Sequence, residues 1–243
     1  MTEEEIVARL LYRDGLILVL DKPAGFAVHK GPQGARGGRS LEDFFDALRF
    51  GLPRAPALAH RLDRDASGCL VLGRHRKALA ELGRLFKSGR IGKTYWAEVE
   101  GGPADEEGRI DLPLGRKDAT RGWWMKHDPH GQPATTSWKA LGHGEGLTWL
   151  ALEPLTGRTH QLRVHCAEMG WPIVGDSVYG SAARMAGPGL HLHAREVVVP
   201  IYKNRAPVTV RAPVPAHMHE RLRACGWEGD VESPGDRVNR ASP

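Results

Sequence analysis

The chain has 243 residues, 41% of them hydrophobic and 26% charged, which is typical of a globular protein with a substantial core. Its richest apolar run, LILVL at 16–20, is too short to span a bilayer, and the acidic start MTEEEIVARL lacks the basic region of a secretory signal. Three scattered cysteines without a CxxC pair argue against a disulfide framework and favour the reducing cytoplasm. The net charge of +5 permits a polyanionic partner but does not require one.

The predicted elements are mostly strands with a few helices between them. From apolar runs and alternation, strands are expected in chain order at 16–20, 69–74, 94–100, 137–143, 147–155 and 194–202. In the third of these, Tyr95, Ala97 and Val99 recur at every second position. That spacing is typical of a half-buried strand and places Glu98 on the opposite, polar face.

Three helices are predicted from apolar residues that recur at helical spacing. The first follows Ser40, which can cap it, with Asp43 three residues further on. The second covers about 76–88 and is expected to stop at Gly89. The third is expected to run from about 159 to 169.

This pattern also predicts the fold class and the domain organisation. Strands without regular strand–helix–strand alternation predict an α+β fold with a large mixed or mostly antiparallel sheet, flanked by helices. The chain has no internal repeat or low-complexity tract, so one domain is expected over 1–228. The stretch 229–243 is polar and rich in Gly, Pro and Ser, and it is expected to form a disordered tail.

Two aspartates lie in the basic, turn-prone segment AHRLDRDASGCLVLGR at 59–74. The order HRLD differs by one position from the protein-kinase loop HRDLxxxN, and no Gly-rich ATP loop or DFG accompanies it, which excludes a kinase. Asp65, followed by Ala-Ser-Gly, is typical of a turn in which the aspartate accepts backbone N–H groups. Asp63 fits either a surface ion pair with an arginine or a chemical role, and the local residues leave both open.

Two pairs of histidines invite a metal interpretation. His160 and His165 are five residues apart, so a helix would not stack them on one face. His191 and His193 could share a strand face, but no acidic or cysteine partner is near them in the sequence. Strand or surface histidines are the better interpretation, so no metal site and no cofactor is predicted.

The segment LTGRTHQLRVH at 155–165 is dense in hydrogen-bonding groups. Gly157 can form a tight turn, after which Arg158 is expected to begin a helix that also carries Arg163 and His165. A solvated, basic helix start and a site for an anionic ligand both fit this pattern.

Taken together, the motifs resemble those of RNA pseudouridine synthases of the RluA type. The motifs occur in the family's order and are HRLDRDASG (60–68), KTYWAEVEG (93–101), PLTGRTHQLRVH (154–165), PIVGDSVYG (172–180) and LHLHA (190–194). LDKPAG (20–25) and GQPATTSW (131–138) fit as well, and the resemblance covers about 14–212. It implies the pseudouridine-synthase fold and the isomerisation of uridine in RNA, in which the uracil leaves the ribose through nitrogen and returns through carbon.

The resemblance implies roles for five residues. Asp63 matches the family's catalytic aspartate, and Tyr95 matches the active-site tyrosine that packs on the target uracil. Arg158 matches the arginine that pairs with the aspartate and keeps it ionised. Leu162 matches an apolar residue lining the uracil pocket, and Arg61 matches an arginine that fills the gap left by the flipped nucleotide.

The resemblance also implies an RNA partner. About a dozen residues precede the first predicted strand, so no N-terminal S4-type RNA-binding module is expected. Substrate choice then rests on the catalytic domain, which favours a short stem-loop in tRNA or rRNA; no membrane and no obligatory protein partner is expected. Ala66 stands where the family usually has Thr, so one local hydrogen bond is expected to be lost.

Two groups of basic residues suit RNA phosphates. They are Lys77, Arg84, Lys87, Arg90 and Lys93, and, around Trp123 and Trp124, the residues Arg116, Lys117, Arg121 and Lys126. For the two tryptophans, base stacking and ordinary strand packing are equally good interpretations.

Two other functions fit parts of this pattern. One is an RNA-binding protein or chaperone that has lost catalysis, against which the joint presence of Asp63, Tyr95 and Arg158 argues. The other is a base-excising N-glycosidase, which would also use a carboxylate and would release free uracil.

Overall fold

The computed structural model describes residues 1–29, 39–117, 124–183 and 189–230. Most of the predicted tail, and Arg121 and Trp123 of the second basic group, lie outside these residues. The described chain forms two compact units. Unit 1 comprises Met1–Gly92, Ala194–Pro213 and Asp230, and unit 2 comprises Lys93–His193 and Val214–Gly229.

Strands dominate both units. In chain order they are β1 (Leu10–Arg13), β2 (Ile17–Lys22), β3 (Ala57–Leu58), β4 (Ser67–Gly73), β5 (Gly92–Glu100), β6 (Glu107–Asp111), β7 (Leu114–Arg116), β8 (Met125–His127), β9 (Thr135–Gly144), β10 (Leu147–Pro154), β11 (Leu192–Val199) and β12 (Val208–Arg211). The α-helices are α1 (Glu3–Ala8), α2 (Arg76–Lys87), α3 (Gln161–Glu168) and α4 (His219–Ala224), and 3₁₀ helices span Leu41–Leu48 and Ala216–Met218. All six predicted strands are therefore confirmed within a few residues at their ends.

The sheet of unit 1 has the strand order β1-β2-β4-β11, with β3 beside β4 and β12 beside β11. β2 is antiparallel to both β1 and β4. The apolar runs of β2 and β4 are buried on both faces, which explains why they are continuous rather than alternating. Helix α2 begins after His75, whose Nδ1 accepts the Ala78 N–H at 3.2 Å, and it stops before Gly89, whose φ is +67°.

In unit 2, antiparallel strands follow the order β5-β10-β9-β6, and β7 and β8 form a separate antiparallel hairpin. Near the end of β10, Leu152 pairs with Tyr95 near the start of β5. The chain therefore leaves β10 at the end of the sheet where Tyr95 lies. These pairings confirm the predicted α+β class with a mostly antiparallel sheet.

The helix predicted after Ser40 is confirmed over Leu41–Leu48 as a 3₁₀ helix, and Asp43 accepts the Ser40 N–H at 2.8 Å as expected. Two other local predictions were wrong. Helix α3 begins at Gln161 because His160 adopts the left-handed conformation, so Arg158 lies in the preceding loop. Glu98 is fully buried, because β5 is covered on both faces around it and His191 supplies a hydrogen-bond partner.

Helices of the described residues are all too short or too polar to cross a membrane. The predictions of one domain over 1–228 and of a disordered tail stay predictions.

Gly68 marks a close approach between two strands of unit 1. Its φ is +102°, and a Cβ at this position would lie 2.3 Å from the carbonyl oxygen of Ala194. Gly68→Ala should therefore lower the free energy of unfolding by about 2–4 kcal/mol through backbone strain and overpacking, measured by urea unfolding. Gly83→Ala is the matched control, since nothing lies within 4 Å of a Cβ there, and it should raise stability by about 0.5–1 kcal/mol. A neutral Gly68→Ala would contradict the close approach.

Candidate active site

Asp63 lies in unit 1, in the loop that joins β3 to β4. Its side chain is half-buried, Leu62 beside it is 7% exposed, and Arg61 points to solvent. The loop is anchored just before these residues by His60, whose Nε2 accepts the Val71 N–H at 2.9 Å. The His60 ring also stacks on Phe86 of α2, with ring centroids 4.7 Å apart. The backbone before Asp63 is thus tied to both a strand and a helix.

The other side of Asp63 is held by a buried lysine. Lys22 ends β2, is completely buried, and donates three hydrogen bonds from Nζ. The acceptors are the carbonyl oxygens of Pro23 at 2.8 Å, Arg64 at 2.8 Å and Ala66 at 2.7 Å. An ammonium group has three N–H bonds, so all of its donors are satisfied. One cation therefore fixes the backbone directly after Asp63.

Burial and charge act on Lys22 in opposite directions. Burial lowers the pKa of Lys22 to about 7, whereas the carboxylates of Asp65 and Asp63 favour the charged form. In its protonated form, Lys22 supplies positive charge beside the loop that carries both aspartates.

The predicted role of Asp65 in the turn was wrong. Its carboxylate is exposed and lies 3.9 Å from Nε of Arg64, and it accepts no backbone hydrogen bond from any described residue. The turn is held through its carbonyls by Lys22 instead. Ala66 is 2% exposed, so its methyl group is part of the packing, and its carbonyl is one of the three acceptors. The turn therefore does not depend on a hydroxyl at this position.

In unit 2, a buried glutamine shapes the loop that carries Arg158. The Oε1 of Gln161 accepts hydrogen bonds from the Thr156 hydroxyl at 2.7 Å and from the Arg158 N–H at 3.0 Å. Its Nε2 donates to the Thr135 carbonyl at 2.9 Å and to the Thr136 hydroxyl at 3.0 Å. The loop is thereby fixed to β9.

The Arg158 side chain is exposed and partly fixed. Its Nε donates to the Pro133 carbonyl at 3.1 Å, and within the described part of unit 2 its Nη groups make no hydrogen bond. Leu162 lies in the first turn of α3 and is 6% exposed. Unit 2 therefore carries Tyr95, Arg158 and Leu162, while Asp63 and Arg61 belong to unit 1.

The start of α3 is buried and paired, which contradicts the solvated, basic helix start, one of the two interpretations of this segment. Arg163 and Asp176 form a bidentate ion pair with two distances of 2.8 Å. Burial raises the pKa of the Asp176 carboxyl, but the hydrogen bonds and charge of Arg163 outweigh this, and the net shift is downward. Both ring nitrogens of His165 form hydrogen bonds, Nδ1 with the Thr136 hydroxyl and Nε2 with the Leu112 carbonyl. These bonds leave neither nitrogen available to a metal ion. The described residues hold no group of three or more side chains suited to a metal ion.

Comparisons with known proteins assign the chain to a family. Residues 16–168 match the family model described as RNA pseudouridylate synthase, and this stretch contains all five candidate residues. An uncharacterised RNA pseudouridine synthase from Zymomonas mobilis is 42% identical over 217 residues, which cover 86% of this chain and 95% of that protein. The chain belongs to this family. The RNA pseudouridine synthase is therefore an isomerase that acts on RNA, as the motifs predicted.

Two further relatives support the assignment. The ribosomal large subunit pseudouridine synthase C of Vibrio cholerae is 33% identical over 222 residues, covering 88% of this chain and 68% of that protein. The solved structure of human RNA pseudouridylate synthase domain containing 4 is 25% identical, has a TM-score of 0.74, and matches over 91% of this chain and 95% of its own. The predicted pseudouridine-synthase fold is thereby confirmed.

Sequence reasoning missed the structural roles of Lys22 and Gln161 in this synthase. For Lys22 a signal was present: Leu18, Leu20 and Lys22 recur at every second position, which places the lysine on a buried strand face. For Gln161 the local sequence holds no such signal, because its partners Thr135 and Thr136 lie about 25 residues earlier.

The shifted pKa of Lys22 makes stability depend on pH. Between about pH 7 and the ordinary lysine value of 10.5, the unfolded chain binds more protons at Lys22 than the folded chain does. The stability of the wild type relative to Lys22→Met should therefore rise with pH across this window, by up to about 1.4 kcal/mol per pH unit. Urea unfolding of both proteins from pH 6.5 to 10 measures this difference. Lys77→Met, on the exposed face of α2, is the control and should give a flat difference.

Proposed function

We propose that this synthase converts a uridine in a stem-loop of tRNA or rRNA to pseudouridine, with Asp63 as the catalytic carboxylate. The bond between uracil N1 and the ribose C1′ breaks, the base turns, and a bond from C5 to C1′ forms; C5 loses its hydrogen as a proton and N1 gains a proton. Attack by the carboxylate on the nucleoside, and removal of a ribose proton by it, both require an ionised group. The observation that carries the proposal is the loop of Asp63, fixed on one side by His60 and on the other by Lys22.

Arg158 is proposed to pair with Asp63 and keep it ionised. This is supported by the Nε bond to Pro133, which orients the guanidinium while its Nη groups make no hydrogen bond in the described part of unit 2. Tyr95 is proposed to pack on the uracil, and Leu162 to line its pocket. For Tyr95, support comes from its place at the sheet end where the Arg158 loop departs from β10.

The basic surface supports an RNA substrate. On α2 the exposed basic residues include Lys77, Arg84 and Lys87, and Arg90 follows the helix. Lys93 contributes less, because it is half-buried and burial lowers its pKa. The named substrate of the Vibrio cholerae relative, the large ribosomal subunit, favours rRNA. The cysteines are free and buried, which suits the reducing cytoplasm as the place of action.

The role of Asp63 is tested by tritium release from C5-labelled uridine in RNA. Asp63→Asn should abolish release and leave RNA binding close to that of the wild type. Asp65→Asn is the matched control, since it neutralises an exposed carboxylate two residues away, and it should retain most of the activity. An essential Asp65 with a dispensable Asp63 would overturn the assignment. Release of free uracil would identify an N-glycosidase, and RNA binding without release by the wild type would identify an inactive RNA-binding protein.

Arg61→Ala and Arg158→Ala should impair different steps of the reaction. Arg158→Ala removes the partner of the carboxylate, so the rate of the chemical step should fall and saturating RNA should not restore it. Arg61→Ala should impair nucleotide flipping, which requires a few kcal/mol of unstacking. The single-turnover rate of Arg61→Ala should therefore fall more on a stem-loop than on an unstructured oligonucleotide with the same uridine. Single-turnover rates on both RNAs decide the matter, and equal losses for Arg61→Ala would exclude a role in flipping.

A further inference from the structure

The Arg158 loop contains a strained residue that the proposed function leaves unexplained. His160 has φ +52° and ψ +19°. This is the left-handed backbone conformation, which residues other than glycine rarely adopt. It lies two residues after Arg158 and directly before α3. Such backbone persists only where surrounding contacts hold it, so the contacts of His160 show what the loop is built to maintain.

One contact of His160 is with the hydroxyl group of Tyr179. His160 Nδ1 and this hydroxyl share a hydrogen bond of 2.8 Å, and the two rings meet edge to face with centroids 5.6 Å apart. The same hydroxyl accepts the N–H of Met125 at 3.0 Å, and Met125 begins β8. One side-chain oxygen thus joins the Arg158 loop to the β7–β8 hairpin.

Tyr179 is itself rigidly placed. Its N–H donates to Asp176 Oδ1 at 3.0 Å, and the guanidinium of Arg163 lies 5.3 Å from the centre of its ring. Arg163 and Asp176 are the buried ion pair described above, so the tyrosine is held by its backbone and by its ring. The ring also packs against the buried cluster of Leu114, Ala134 and Val164, which joins β7 to α3.

The hairpin at the other end of this connection is basic. Arg116, Lys117 and Lys126 are exposed on it, and the Lys117 ammonium lies 5.1 Å from the centre of the Trp124 ring. The chain that leaves the hairpin reaches Pro133, whose carbonyl binds Nε of Arg158. The hairpin and the Arg158 loop are therefore connected twice, once through Pro133 and once through the Tyr179 hydroxyl.

We infer that His160 and Tyr179 are positioning residues for the isomerisation, which fix the Arg158 loop against the basic β7–β8 hairpin. The inference rests on the proposed function, in which Arg158 orients the catalytic carboxylate, and on the exposed basic residues of the hairpin, which suit RNA phosphates. Because the Tyr179 hydroxyl bonds both segments, it limits how far the Arg158 loop can move relative to the hairpin when RNA binds. Neither residue touches the reacting atoms in this account.

Tyr179→Phe tests the inference, because it removes the hydroxyl and keeps the ring that packs on Arg163. The single-turnover rate at saturating RNA should fall about tenfold, while the Kd for RNA should change less than about twofold. Tyr202→Phe is the matched control, since it removes a half-buried tyrosine hydroxyl that bonds Asp14 at 2.8 Å in unit 1. It should lower the melting temperature about as much as Tyr179→Phe does and leave the rate unchanged. Equal rate losses in the two variants would reduce Tyr179 to a stability role and overturn the inference.

A double-mutant cycle isolates the hydrogen bond. His160→Gly suits the left-handed backbone and removes the imidazole, so it should fold and should slow the reaction about as much as Tyr179→Phe. The double variant should be no slower than either single variant, because both remove the same bond. Losses that multiply, or a Tyr179→Phe rate within twofold of the wild type, would contradict the inference. A wild type without activity, or an active Asp63→Asn, would instead overturn the proposed function.

Discussion

The buried ammonium of Lys22 is the interaction on which the candidate nucleophile's loop depends. A buried charge is expensive unless every one of its hydrogen bonds is made, and here three carbonyls meet the three N–H bonds at 2.7–2.8 Å. Two of these carbonyls belong to residues directly after Asp63, so the charge that ends β2 fixes the conformation of a loop far along the chain. The turn after Asp63 is thereby held through its backbone carbonyls, which fits an exposed Asp65 and an alanine at position 66.

Unit 2 uses the same principle with different groups. Gln161 binds four partners on the Arg158 loop and on β9, and the Arg163–Asp176 ion pair fixes the segment that ends in Tyr179. In each unit one candidate catalytic side chain lies on a loop, Asp63 in unit 1 and Arg158 in unit 2, and buried, hydrogen-bonded polar groups set the geometry of that loop. A low dielectric strengthens these bonds and makes any alternative arrangement costly, so the loops are held in one conformation.

The buried Glu98 shows that the burial of a polar side chain can contradict the alternating pattern of its strand. Alternation along β5 predicted it on a polar face, yet it is fully buried beside His191, and its Oε1 has no hydrogen-bond partner among the described residues. Hydrophobic periodicity detects which residues are apolar, but it cannot detect that a carboxylate will be covered by a histidine more than ninety residues away. The 3₁₀ helix at Leu41–Leu48 is a smaller case, because helical spacing of apolar residues fits both helix types.

The sequence by itself determined the strands, the fold class and the family, because apolar runs, alternation and ordered motifs are local properties of the chain. It also supplied the five candidate residues, since each lies within one of those motifs. Only the tertiary structure decided which polar groups are buried and what they hold. Lys22 meets the carbonyl of Arg64 across 42 residues, and His160 meets Tyr179 across 19. The physical reason is that a buried polar group is stable only beside its hydrogen-bond partners, and those partners are brought to it by folding rather than by the sequence around it.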